Sequence, residues 1–411
     1  MKLESVLRYL AALPAALALT VLAGCASVGD GVAGKTNFRD QRYAHWVWWG
    51  ADPDALTEAL DRIRSSNAPR EVAGYWDLQR DLGPGHWNFE FSALGQAAEA
   101  RAQGVAASDP AAASKALHQA SVYYGLAKYP YIRRDAGEVQ AFQAQIRTYL
   151  RSWEVSGSPV EVVEVRWRNK MAKGLLHLPR NAGGNLPLVL AANGIDVFGA
   201  EFGPFARDMV DRGIAFFAFD LPGTGLNVEH TLDVDSEQLY LAFLDALLAR
   251  GRFDASRVGV MGVSFGGNPA VKLAFTHPSR VAAVLNVCGP IHDVFNLPTD
   301  AIIRGIEPMY REVLFDRWKL RKGDNIALVE TGRRFSLVRQ GVIKPGVTTK
   351  VPIYNLNARG DYVATERDME LVARASADGV IAFSGADDHC PQDRKNAMPV
   401  AGRWLASKLA R

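Results

Sequence analysis

From residue 160 onward the chain alternates between short apolar, β-branched runs and longer stretches with apolar positions at helical spacing. Residues 160–167 alternate as a strand, and 171–178 read as its hairpin partner across Arg168-Asn169-Lys170. Strands are then predicted at 186–192, 214–219, 258–262, 281–287, 351–356 and 379–384. Helices are predicted between them at 201–211, 236–249, 268–275 and 366–375, and a last one at 397–409. An antiparallel pair followed by repeated strand–helix units predicts an α/β architecture, a mostly parallel sheet with helices on both faces. Residues 290–350 interrupt this rhythm as an insertion with helical pieces, 301–315 among them, placed over the carboxyl edge of the sheet.

Residues 37–155 follow a different rule, with helical periods throughout. Residues 54–65 are amphipathic, 139–153 form a further candidate, and 111–128 set Ala113, Leu117, Ala120, Tyr124 and Ala127 on one face. This region is read as an all-helical domain, and 156–411 as a second, catalytic one. Trp46, Trp48, Trp49, Trp76 and Trp87 crowd its first half. Most are expected to fill the helical core, with room for one or two at an apolar pocket.

Residues 1–36 stand apart from the fold. Lys2 and Arg8 precede an apolar run at 9–22 that is too short to span a bilayer. It ends in Leu22-Ala23-Gly24-Cys25, which resembles the lipobox of bacterial lipoprotein signal peptides. The resemblance implies a leader at 1–24, lipidation of Cys25, a small, polar tether at 25–36 and a folded part outside the cytoplasm. Ala26 rather than aspartate after the cysteine implies an outer-membrane anchor facing the periplasm.

Composition narrows the function classes. Hydrophobic content of 48% and charged content of 22% over 411 residues suit a globular chain with a sizeable core. A net charge of +3 without a Lys/Arg run argues against a nucleic-acid partner. Beyond Cys25 only Cys288 and Cys390 remain. No short spacing supports a disulfide between them, so their pairing is left open. Two cysteines without a supporting His/Cys cluster argue against a structural zinc site, and neither a metal nor a cofactor is expected.

The chemistry concentrates at Gly262-Val263-Ser264-Phe265-Gly266, between a strand and a helix. A strand that turns sharply into a helix crowds its neighbours, and Gly262 and Gly266 remove the side chains that would clash. Ser264 then stands at the apex of a G-x-S-x-G elbow, before a helix start whose N–H groups suit an oxyanion. A serine needs a base, and the base an orienting carboxylate. After His292 the one histidine is His389, just past the last strand. Asp361 follows the preceding strand and a glycine, and supplies the acid; Asp368 sits inside the next helix and reads as solvated. The oxyanion donors are the N–H groups of Phe265 and, from Asn193-Gly194-Ile195-Asp196, of Ile195, with Asp196 second. Asp220-Leu221-Pro222-Gly223-Thr224-Gly225 lacks the Lys-Ser/Thr of a phosphate loop and reads as a structural turn. His277 reads as a helix cap, and His292 and Asp293 as loop residues near the mouth.

Together the elbow through Asn268, the 193–196 loop, the 220–225 turn, His389-Cys390 and Tyr123-Tyr124 within 111–130 resemble α/β-hydrolases with an N-terminal helical cap. That group includes the fermentation–respiration switch esterases, the dihydroxypseudooxynicotine hydrolase and fungal polyketide-shortening hydrolases. Two positions depart from it: Asn193 where glycine is usual, and Ala364 where proline is common. The residues lead to a metal-independent serine hydrolase of small carboxylic esters. The resemblance keeps open C–C cleavage of β-diketone or polyketide-like ketones, which the same triad serves. A third reading is an inactive binding or regulatory lipoprotein on a hydrolase fold.

Overall fold

A computed structural model describes residues 38–410 except 40, 41, 73, 133, 181, 182 and 387. The leader at 1–24, Cys25 and the tether to 36 lie outside the described residues. Five helices come first: α1 (Tyr43–Trp49), α2 (Pro53–Ser65), α3 (Trp87–Val105), α4 (Pro110–Lys128) and α5 (Ala136–Val155). Asp52 caps α2 by accepting from the N–H groups of Asp54 and Ala55, and Pro53 opens it where no N–H is needed. Trp46, Trp49, Trp76 and Trp87 are buried in the apolar core of this layer, with Trp48 half-buried beside them.

The rest is built on one sheet of eight strands: β1 (Glu161–Trp167), β2 (Lys170–His177), β3 (Leu186–Ala192), β4 (Ala215–Phe219), β5 (Phe253–Val263), β6 (Ala283–Val287), β7 (Ile353–Arg359) and β8 (Gly379–Ala386). Their spatial order is β1-β2-β4-β3-β5-β6-β7-β8. β2 runs antiparallel to both its neighbours, and the remaining pairs are parallel. Arg168 and Asn169 turn the hairpin at φ 46 and 63, the left-handed pair that matches strand twist. The inner strands β3 and β4 read as unbroken apolar runs because both faces are covered, while β6 and β7 carry the buried Asn286, Asn355 and Asn357. On β5, Val258 and Val260 enter one core while Met261 and Val263 enter the other.

The helices that follow in the chain are α6 (Gly203–Asp211), α7 (Glu237–Leu248), α8 (Gly267–Thr276), α9 (Thr299–Gly305), α10 (Pro308–Arg317), α11 (Asn325–Arg334), α12 (Glu366–Ala375) and α13 (Arg394–Leu409). α7 and α8 pack on one face of the sheet, α6 and α13 on the other. The 301–315 helix expected from the sequence is two helices, α9 and α10. Pro308 cannot continue a helix from its own N–H, so it starts the second one instead.

The 220–225 turn is structural, as expected, and carries an unusual carboxylate. Asp220 is buried and accepts from the N–H groups of Gly199 and Leu226, both at 2.6 Å. Burial outweighs those bonds and pushes its carboxyl up to about 6. Between pH 4 and 6 the folded state therefore holds a proton that the unfolded chain, with a carboxyl near 3.9, has released. The contribution is present below about pH 4 and is lost as pH rises through about 6. Relative to Asp220→Asn, the wild-type protein should lose on the order of 2–3 kcal/mol of unfolding free energy between those limits. Denaturant unfolding of both proteins across pH 4–7 checks this, and parallel curves would contradict it.

Candidate active site

The loops after β3, β5, β7 and β8 meet at the carboxyl edge of the sheet, where such sheets bind ligands. β5 ends at Val263, and Ser264 follows with φ 51, a left-handed conformation that a non-glycine residue holds only under constraint. The constraint is visible in the two glycines. A Cβ on Gly262 would lie 2.2 Å from the Gly266 carbonyl oxygen, and one on Gly266 would lie 2.4 Å from that of Ala192. Tyr240, buried beneath the turn, donates from its hydroxyl toward the carbonyls of Met261 and Gly266. Asn268 donates to the carbonyls of Pro290 and Phe335, tying the first turn of α8 to the insertion.

The structure brings Ser264, His389 and Asp361 together. Ser264 Oγ lies 2.8 Å from His389 Nε2. His389 Nδ1 lies 2.9 Å and 3.1 Å from the two carboxylate oxygens of Asp361. The carboxylate also accepts from the N–H groups of Val363, Ala364 and Cys390. Burial pushes the Asp361 carboxyl up, but the His389 charge and hydrogen bond and the backbone donors outweigh it. The net position is below the usual carboxylate range, so Asp361 is ionised at neutral pH. An ionised acceptor at Nδ1 keeps the proton there and leaves the Nε2 lone pair facing the Ser264 hydroxyl.

The loop after β3 runs against the serine. A Cβ on Gly194 would stand 2.9 Å from Ser264 Cβ, so only glycine lets this backbone come so close. Ile195, Phe265, Ser264 and His389 line one wall of a cavity of about 220 Å³. The opposite wall comes from the insertion, with Val294, Ile302, Leu314, Trp318, Leu328 and Val329. Trp318 stacks on Phe335, whose ring meets Phe265 edge-on. Of the tryptophans at this cavity, Trp318 comes from the insertion, and none of the five in the helical layer reaches it.

Several features lay beyond the sequence reading. Cys288 and Cys390 form a disulfide across a separation of 102 residues, which joins the end of β6 to the loop carrying His389. The ligand atoms of Cys288, Cys390 and His389 cluster within 4.8 Å, but both sulfurs are spent on each other and the imidazole faces Ser264. His45 of α1 donates from Nε2 to the Pro391 carbonyl, so the helical layer also grips this loop. Burial, with Arg394 and Arg42 nearby, holds the His45 imidazole well below its ordinary pKa and hence neutral.

Asp368 is a correction. It is buried rather than solvated, and accepts from the N–H groups of Ile291, His292 and Asp293 at the start of the insertion. His292 pairs with Ser336 and Asp293 accepts from Thr365, so both hold loops. His277 ends α8, and its N–H bonds to the Leu273 carbonyl. Asp196 accepts from the Tyr129 hydroxyl, a tie between the helical layer and the loop after β3.

Comparison with known proteins adds the family. The model of a family described as "Esterase FrsA-like" matches residues 13–410. The chain is similar to the Esterase FrsA of Vibrio cholerae serotype O1, with 32% identity over 378 residues, 91% of this chain and 88% of that protein. It is 27% identical to the Esterase FrsA of Photobacterium profundum over 93% of this chain and 90% of that one. Among solved structures, a 2,6-dihydroxy-pseudo-oxynicotine hydrolase superposes with a TM-score of 0.71 at 20% identity, covering 89% of this chain and 95% of that one. AbyA5 superposes with a TM-score of 0.65 at 19% identity, over 88% and 93%. These two likenesses concern the fold, which is that of the α/β-hydrolases.

Proposed function

We propose, for a chain that belongs to the FrsA-like esterase family and is a serine ester hydrolase, that Ser264, His389 and Asp361 carry the reaction on esters of uncharged, apolar acyl groups. One observation carries this reading: an unbroken line of contacts runs from Ser264 Oγ through both ring nitrogens of His389 to the buried Asp361 carboxylate. The Ser264 hydroxyl gives its proton to His389 Nε2 as Oγ attacks the ester carbon. The N–H groups of Ile195 and Phe265 hold the developing oxyanion, each lowering the barrier by about 3 kcal/mol. Collapse expels the alcohol, which takes the proton from His389 and leaves an acyl group on Ser264. Water, deprotonated by the same imidazole, then frees the carboxylic acid and restores the serine.

The substrate class follows from the cavity, whose wall from the insertion is aliphatic and aromatic apart from Glu307, with Arg42 the one cation among the described residues of its lining. A pocket of that lining gains on the order of 1 kcal/mol per buried methylene and disfavours a charged acyl chain. A panel of p-nitrophenyl esters from acetate upward should show kcat/KM rising with acyl length, with no cleavage of β-diketones. Gly332 of α11 lines the cavity, and a Cβ there has ordinary contact with Trp318 at 3.4 Å. Gly332→Leu should therefore fill the pocket without breaking the helix. It is expected to lower kcat/KM for the longest accepted ester more than tenfold and to spare the acetate. An equal loss for both esters would show that acyl chains do not reach this wall.

The same reading places the enzyme at the cell envelope, lipidated at Cys25 and facing the periplasm. The Leu22-Ala23-Gly24-Cys25 pattern supports it, and a disulfide suits an oxidising compartment. Fractionation tests the anchor. Wild-type protein should sediment with membranes and carry an acyl adduct, and Cys25→Ala should carry none.

A further inference from the structure

Arg317, at the end of α10, is fully buried, and its guanidinium reaches three places at once. Nε donates to the Ile195 carbonyl at 2.9 Å. The terminal nitrogens donate to the Tyr131 carbonyl at 3.3 Å and toward that of Pro130 at 3.4 Å. One of them also pairs with Asp316, which in turn holds Arg134 of the helical layer at 2.7 Å. Its own carbonyl accepts from Leu232 N–H, and Gly223 passes so close that a Cβ there would stand 2.9 Å from that oxygen. The next residue, Trp318, forms the cavity wall over Phe265. The three residues 316–318 thus touch the helical layer, the loop beside the nucleophile and the substrate cavity.

We propose that Arg317 is a positioning residue that fixes the Ile195 backbone so that its N–H faces the oxyanion formed on Ser264. The proposal rests on the triad reading above. The Ile195 carbonyl belongs to the Ile195–Asp196 peptide, so holding it fixes that plane and, through the Ile195 Cα, restrains the Gly194–Ile195 peptide that carries the Ile195 N–H. The loop turns through Gly194, whose backbone rotates more freely than any other residue's. Without a donor, the buried Ile195 carbonyl is left unsatisfied and the loop relaxes to find one, carrying the N–H with it. The guanidinium is suited to this task because its donors sit in a rigid plane and meet several acceptors in different directions. A lysine keeps the charge but is a single point with flexible donors, so it cannot hold all three loops. Sequence reasoning had no signal for this residue, one of 47 lysines and arginines.

The test uses the full-length enzyme with Arg317→Lys and Arg317→Gln, both checked for native circular dichroism and melting. Arg317→Lys is the milder change and is read if Arg317→Gln does not fold. The readouts are kcat and KM on a p-nitrophenyl ester, the inhibition constant of a trifluoromethyl ketone with the same acyl group, and fluorophosphonate labelling of Ser264. The expected result for folded Arg317→Lys is a kcat about a hundredfold lower with KM within threefold, the scale of losing one oxyanion donor. Ketone affinity should fall in parallel, because the ketone forms the same oxyanion. Free guanidinium should restore part of the activity to Arg317→Gly and none to wild type. A kcat and ketone affinity within threefold of wild type, with Ser264 still labelled, would overturn the role of Arg317 and leave the triad reading intact. Wild-type protein that fails to label at Ser264 would overturn both.

Discussion

Replacing Asp361 with asparagine is expected to lower kcat about ten-thousandfold with KM within a few-fold. The carboxylate accepts from His389 Nδ1 and from three backbone N–H groups, all within 3.1 Å. An asparagine oxygen can keep the bonds from Val363 and Ala364, so the loop should retain its shape. Its amide nitrogen then faces Nδ1, which must turn acceptor, and the ring proton moves to Nε2. That tautomer points a donor at the Ser264 hydroxyl and cannot take its proton. Stability should change in a pH-dependent way. Asp361 lies below the usual carboxylate range in the folded state, so its contribution is present above about pH 4 and is lost as pH falls through its folded value. The melting-temperature gap between wild type and variant should therefore narrow in acid. A variant with kcat within tenfold of wild type would remove Asp361 from the triad.

The second large effect concerns stability. The Cys288–Cys390 disulfide spans 102 residues and ties the loop that carries His389 to the centre of the sheet. Cutting a crosslink of that span restores chain entropy to the unfolded state, and the expected cost of Cys288→Ala with Cys390→Ala is about 2–4 kcal/mol. For a domain of this size that is a fall in Tm of about 3–6 °C. The loop keeps its bonds from His45 to Pro391 and from His389 to Asp361, so the fold should survive. Looser placement of the imidazole should cost kcat about tenfold. Reductant should reproduce both changes in wild type and leave the double variant unaffected. Unchanged melting in the reduced protein would show that the disulfide does not stabilise the fold.

What the sequence revealed, and what it hid, has a physical pattern. Strands β3 and β4 were legible because their side chains are apolar on both faces, β5 to β8 because each still holds a short apolar run, and the elbow because only glycines fit beside Ser264. His389 was singled out by its place after the last strand, and Asp361 by the glycine before it, and the fold brings the two side chains together. The helix α3 was not marked, since its apolar positions form only a weak stripe between Trp87 and Ala102. The insertion was seen, but its helices were not divided correctly because Pro308 reads equally as a breaker or a starter. Asp368 was misread because a carboxylate on an amphipathic helix is usually solvated, and its three partners come from a loop 75–77 residues away. The disulfide and Arg317 share that cause. Their partners are distant in sequence, and no local pattern marks a cysteine or an arginine for a contact across the fold.

The central claim is that the hydroxyl of Ser264 is made nucleophilic by His389. Intact-mass analysis after treatment with a fluorophosphonate tests it most directly, with the modified peptide mapped by fragmentation. Wild-type protein should gain one adduct on Ser264, Ser264→Ala none, and His389→Ala should label at least a thousandfold more slowly. An adduct on another residue, or equal labelling of Ser264→Ala, would contradict the account.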